Sequence, residues 1–150
     1  MTKFLLAVHV LAAIVAIGPV SVATSMFPPA ARRVIEAPDD VRAAETLQLL
    51  HRICRIYAVV GVVVPVFGFA TASNMHVLGS AWLITSIALT ALAALVLAAL
   101  VLPRQTALVE GGGGTREATV RLAMFTGLFN LVWAVVTVLM IVRPGSTTGA

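Results

Sequence analysis

Long runs without a charged side chain alternate with short charged stretches, and that alternation predicts helices that cross a membrane. Lys3 and Arg32 bracket 28 uncharged residues, Arg55 and Arg104 bracket 48, and Arg121 and Arg143 bracket 21. A spanning helix needs about 20 mostly apolar residues, because each rises about 1.5 Å against about 30 Å of hydrocarbon. The first and last runs therefore hold one span each. The middle run holds two, joined by the polar turn Ser73-Asn74-Met75-His76. The expected spans are about 4–26, 56–72, 79–102 and 121–142. Backbone groups in lipid must bond within their own segment, and barrel strands would alternate polar and apolar side chains, so the spans are helices. The expected fold is all-α: a four-transmembrane-helix bundle, one integral membrane domain over residues 1–150, with an amphipathic cytoplasmic extension before the second span.

That extension begins at Pro38-Asp39-Asp40, where acidic side chains suit the positive end of a helix. Val41, Ala44, Leu47, Leu50 and Cys54 then recur at helical spacing and lead into the second span. Pro103 reads as a helix stop. Gly111 to Gly114 read as a flexible linker, since a phosphate-cradling loop would need a Gly-Lys-Ser/Thr ending after a strand. The tail Pro144–Ala150 reads as frayed. The first span has a rival reading as a cleaved secretory signal, from Lys3, the apolar run Phe4–Ile17 and the small residues Ser21-Val22-Ala23. Against it, the apolar stretch continues to Phe27.

Composition agrees with the pattern. The chain is 60% apolar and 11% charged, with a mean hydropathy of +1.05, against about 45–50% and about 25% in soluble domains. A soluble enzyme, a disordered tail and a disulfide-stapled module are excluded, the last because Cys54 is the only cysteine. Charge adds orientation. The segments 28–55 and 103–120, with Arg121 at the boundary, hold eight arginines: Arg32, Arg33, Arg42, Arg52, Arg55, Arg104, Arg116 and Arg121. The other side holds only Lys3 and Arg143. Cytoplasmic loops are enriched in basic residues, so both termini are expected outside a bacterial inner (plasma) membrane and the two arginine-rich segments inside. The net charge of +4 then reflects membrane-flanking loops, and no nucleic-acid partner is expected.

Helices in lipid associate through small residues and polar links. The expected faces are Ala12, Ala16 and Ala23; Ala58, Gly61, Pro65, Gly68 and Ala72; Ser86, Thr90, Ala94 and Ala98; and Thr126, Asn130, Ala134 and Thr137. Pro19 and Pro65 are expected to kink their helices. Trp82 and Tyr57 fall near span ends and read as interfacial anchors, while Trp133 reads as packed in the bundle.

Candidate chemistry is sparse. The spans hold no Asp, Glu, Lys or Arg, which disfavours an ion-driven transporter or a charged channel ring. No nucleophile, dinucleotide or zinc motif occurs, so no catalytic residue is assigned. Asn130 reads as an interhelical hydrogen-bonding residue, with Thr126, Ser86 and Thr90 as polar packing positions. His9 lies inside the first span and is the candidate metal or haem ligand, or else a side chain that bonds a neighbouring carbonyl or hydroxyl or snorkels outwards. His76, in the outer turn, is a second candidate metal ligand or a solvated loop residue. His51, between Leu50 and Arg52, reads as a headgroup contact, and Cys54 as a packed thiol.

The stretch from Leu6-Ala7-Val8-His9 to Gly18-Pro19, then Phe27-Pro28-Pro29-Ala30-Ala31-Arg32-Arg33, resembles a family of small bacterial membrane proteins known as domain of unknown function 2269. Leu50-His51-Arg52-Ile53-Cys54-Arg55-Ile56-Tyr57, ahead of Gly61, Pro65 and Gly68, is similar to the same family. More distantly, His9 and Gly18 resemble the early histidine and glycine of haem-binding bacterial protoporphyrinogen oxidase and copper-resistance D membrane proteins. That resemblance implies haem b with His9 as axial ligand. The chain departs from the oxidase in Val15-Ala16-Ile17, where a tryptophan would stand, and in having no lysine within a span. Three readings follow: a non-enzymatic accessory or assembly component with a homo-oligomeric or other membrane partner; a haem- or metal-binding redox protein; and a transporter of a small neutral or lipidic solute, moving at Pro19 and Pro65.

Overall fold

The computed structural model describes residues 1–111 and 114–146, and among these it contains helices and turns only. Helix α1 spans Thr2–Glu36, α2 Val41–Val60, α3 Val63–Asn74, α4 Ala81–Leu95, α5 Leu102–Val109 and α6 Arg116–Val142, with a π-helical segment at Val96–Val101. End to end they form four helices long and apolar enough to cross a membrane: Thr2–Glu36, Val41–Asn74, Ala81–Val109 and Arg116–Val142. The all-α, four-helix expectation holds. Gly112 and Gly113 of the glycine run, and Thr147–Ala150 of the tail, lie outside the described residues.

The helices run further than their apolar stretches. The 35 residues of α1 make a rod of about 52 Å, roughly 20 Å longer than a hydrocarbon layer. The surplus carries α1 beyond Met26, through Pro28 and Pro29, to Glu36. Two consecutive prolines remove two backbone donors and disfavour a helix. Here Ala23, Phe27 and Ala31 are buried in one continuous stripe, and that packing holds the segment helical. Residues 28–36 are thus part of a helix rather than of a loop. The start of α2 is as expected: the Asp40 side chain accepts from the amides of Arg42 at 3.0 Å and Ala43 at 3.3 Å, capping the helix. Leu47, Leu50 and Cys54 of the expected amphipathic face are buried.

The second span is interrupted one turn before Pro65. Pro65 has no N–H for the Gly61 carbonyl, and the Val64 amide takes that carbonyl instead at 3.1 Å. The Val62 amide similarly bonds Val59 at 3.1 Å. These tighter bonds separate α2 from α3 and place Pro65 in the first turn of α3, where a missing donor costs nothing. Pro103 does not stop its helix. The Leu102 amide reaches back five residues to the Leu97 carbonyl, and the widened π turn delivers Pro103 into the first turn of α5.

Three of the expected small-residue faces need correction. Ser86 and Thr90 turn inward or partly so, but Ala94 and Ala98 are exposed and Ala93 and Leu97 are buried. A strict spacing of four drifts about 40° per step on a helix of 3.6 residues per turn. The buried row keeps pace with the helix, and the alanine row walks off it. On α6 the buried row is Thr119, Leu122, Thr126, Phe129, Val132 and Val136, whereas Ala134 and Thr137 are exposed. Pro65 is exposed, and Val64, Thr71 and Ala72 are the buried residues of α3.

Helix α1 is the hub, packing on α2, α3 and α6, while α4 packs on α6 and α5 on α2. The main core joins Phe27, Leu47, Leu50 and Cys54 to Val101, Leu108, Leu122 and Phe129, towards the arginine-rich end. At the other end a small cluster of Ala72, Trp82 and Leu83 packs beside the turn that follows α3. Trp82 is 8% exposed, with the Arg143 guanidinium 5.6 Å from its ring centre. It is a packed residue and not the lipid-facing anchor expected of it. Tyr57 is half-buried against the main core.

Candidate functional site

Three groups of polar side chains contain the candidate residues, and the most enclosed one holds a histidine that the spacing of charges had placed in headgroups. His51 is buried on α2, 8% exposed, beneath the edge of Phe27 from α1 at 6.4 Å between ring centres. It is not a headgroup contact. Its Nδ1 is 3.0 Å from Gln105 Oε1 on α5, and its Nε2 is 3.3 Å from Thr106 Oγ1. Gln105 is fully buried and donates through Nε2 to Cys54 Sγ at 3.6 Å. Cys54 is one turn beyond His51 on the same face of α2, so one amide bridges both side chains.

Hydrogen counting shows what this cluster can do. Gln105 Oε1 only accepts, so Nδ1 carries the imidazole proton. Thr106 has one hydroxyl hydrogen and also lies 3.0 Å from the Leu102 carbonyl. With a neutral ring, the hydroxyl donates to Nε2. The side chains of His51, Gln105, Thr106 and Cys54 thus bond to one another across α2 and α5. The sequence reading missed Gln105 because Pro103 was taken to end the helix. A helix continued past Pro103 puts Val101, Gln105 and Leu108 on one face, and all three are buried.

The second group is His9, half-buried on α1 and set against α3. Its Nδ1 donates to the Val64 carbonyl at 2.9 Å. The ring lies on Gly68, where a Cβ would come within 2.8 Å of Cε1. A side chain at Gly68 would push the imidazole aside, and of the alternatives to a ligand role for His9 the bond to a carbonyl is the one formed. His76 lies elsewhere, exposed in the turn beyond the end of α3 at φ 57°. Among the described residues, no three of His, Cys, Asp and Glu come together as a metal site.

The third group lies along α6. Asn130 donates through Nδ2 to Ser25 Oγ of α1 at 3.0 Å, the interhelical bond its position called for. Thr126 Oγ1, Asn130 Oδ1 and Trp133 Nε1 are buried without a hydrogen-bond partner. Trp133 packs edge-on to Phe129 at 6.3 Å. Ser86 is fully buried and donates to the Trp82 carbonyl at 2.8 Å, a bond within its own helix, and Thr90 is half-buried.

A haem or metal reading makes a narrower demand. An axial histidine usually fixes one nitrogen on a carbonyl and offers the other as a lone pair. His9 meets the first requirement through Val64. A cavity of about 320 Å³ lies near Arg104 and Arg121, and a smaller one of about 260 Å³ lies along Ala134 and Val138. His9 lines neither. Set against family models, curated proteins and solved structures, the chain finds no match.

Proposed function

We propose that this protein is a non-enzymatic accessory or assembly component of a membrane complex, acting through its helix faces. The observation that carries the reading is the outer half of α1. Between Thr2 and Val15 no residue is fully buried, and the first deeply buried side chain is Ala16. Over that length α1 rests on α3, and Phe4, Leu11, Ile14 and Val15 are each more than half exposed. The helix that organises the core at one end therefore offers an open two-helix ledge at the other. A second copy of the chain, or another membrane subunit, fits that ledge through ordinary helix packing. The buried polar cluster supports the same reading, since its hydrogen bonds close on one another and offer no group to a substrate. In the proposed setting the membrane is the bacterial plasma membrane, with both termini outside and the arginine-rich segments in the cytoplasm.

The test is the mass of the assembly. Protein in lipid nanodiscs, and in mild detergent, is expected to run as a homo-oligomer or with a co-purifying subunit. Leu11→Trp on the ledge should shift that mass towards the monomer. A strictly monomeric, partner-free protein in both media overturns the reading.

His9 supports a second reading, a haem- or metal-binding redox protein. With its Nδ1 proton on Val64, Nε2 is the nitrogen left to coordinate. The expected outcome is a Soret band, in protein from haem-sufficient cells, that shifts on dithionite reduction and disappears in His9→Ala. A featureless visible spectrum, or colour that survives His9→Ala, removes His9 from that role.

A further inference from the structure

We infer that the face of α6 beside α5 binds an anionic phospholipid, with the headgroup phosphate between Arg104 and Arg121. The cavity of about 320 Å³ at this place is lined by Arg104 and Ala107 of α5 and by Thr115, Glu117, Ala118 and Arg121 around the start of α6. Arg104 is held in position: its Nη1 donates to the Leu100 carbonyl at 3.0 Å, and its guanidinium lies 4.5 Å from the Phe125 ring centre. A guanidinium pinned in this way loses little further freedom on meeting a phosphate. Arg121 donates through Nη2 to Glu117 Oε1 at 2.7 Å, in a pair that is largely exposed. The remaining N–H groups of Arg121 can serve a second anion. The cleft thus carries two cations and one carboxylate, a net positive charge where the apolar run of α6 begins.

The same face continues as a track for acyl chains. Met124, Leu128, Leu131 and Val135 follow Arg121 at spacings of three and four, and all are exposed. Beyond them lies the cleft of about 260 Å³ formed by Ala134, Val135, Val138 and Leu139, which is lined almost wholly by apolar atoms. From Arg121 to Val138 the track runs about 25 Å at the helical rise, on the scale of one leaflet and its headgroup layer. Two guanidinium groups at the head and an apolar groove below match a phosphodiester with a net negative charge, such as phosphatidylglycerol, better than a zwitterion. Basic pockets of this kind at the membrane boundary recognise anionic headgroups.

Native mass spectrometry of the full chain, released from detergent with added phosphatidylglycerol or phosphatidylcholine, tests the inference. Retention of phosphatidylglycerol should exceed that of phosphatidylcholine by roughly tenfold. The double variant Arg104→Gln/Arg121→Gln should lose that preference, while Arg33→Gln should keep it. Glu117→Gln removes the competing carboxylate and should raise retention, a gain that misfolding cannot imitate. Equal retention of the two lipids, an undiminished preference in the double variant, or no gain in Glu117→Gln overturns the inference. Displacement of the lipid by inorganic phosphate in millimolar amounts also overturns it, because the cleft would then hold a free anion without using the acyl track.

Discussion

Phe27→Ala is expected to lower the stability of the folded bundle by about 3–5 kcal/mol, the range for deleting a buried aromatic ring. Phe27 is completely buried on α1, and its ring meets His51 of α2 while joining the core that α5 and α6 share. Its removal leaves a void in the core that joins α1 to α2, α5 and α6. The packing density of a membrane interior makes such a void costly even though lipid offers no hydrophobic drive between helices. The residue also sits directly before Pro28-Pro29, so the core loses the contact that keeps α1 helical through two prolines. Unfolding midpoints in mild detergent, followed by circular dichroism against heat or added SDS, measure the loss. Phe69→Ala is the matching control: Phe69 is 61% exposed on α3, and its truncation should move stability by no more than about 0.5 kcal/mol. Equal losses in the two variants would show that the ring of Phe27 is not a core anchor.

Gln105→Leu is expected to cost about 1–3 kcal/mol, because it keeps the volume and strands His51 Nδ1–H without an acceptor. Cys54 loses its weaker partner in the same change. The informative comparison is the double variant. Replacing both partners of a buried hydrogen bond by apolar groups of similar shape is nearly neutral, whereas replacing one leaves an orphan. Gln105→Leu/His51→Leu should therefore be more stable than the sum of the two single losses allows. Strict additivity in this cycle would mean that the two side chains do not depend on one another.

Much of the architecture is legible in the order of residues, because lipid imposes a simple rule. Uncharged runs such as Lys3 to Arg32 can only be spanning helices, and Asp40 marks the start of α2 by its own side-chain chemistry. Asn130 was legible for the same reason, since a buried amide on a helix face requires a partner, and Ser25 provides it. What escaped the sequence depended on neighbours. Pro28, Pro29 and Pro103 each weigh against a helix locally and sit within one because of packing or a π turn. His51 looks solvated beside Arg52 and Arg55 until α5 arrives with Gln105. The alanines at Ala94 and Ala98 look like an interface by spacing, yet the slow rotation of a four-residue repeat turns them outward. The ledge on α1 is invisible in sequence, because an apolar side chain facing lipid and one facing a helix have the same composition.

The π turn at Val96–Val101 sets the angular phase of everything that follows it. An α-helix advances about 100° per residue, so a turn holding one residue more rotates the downstream segment by that amount. Gln105 meets His51, and Arg104 meets Phe125, in the phase that this turn provides. Loss of a single residue anywhere between Val96 and Val101 would restore a plain α-helix and swing both side chains aside, with every residue of the two contacts still present. The His51–Gln105 bond and the place of the Arg104 guanidinium on Phe125 are thus governed by a count of residues in a stretch that contains none of these side chains, and length here carries information that side-chain identity does not.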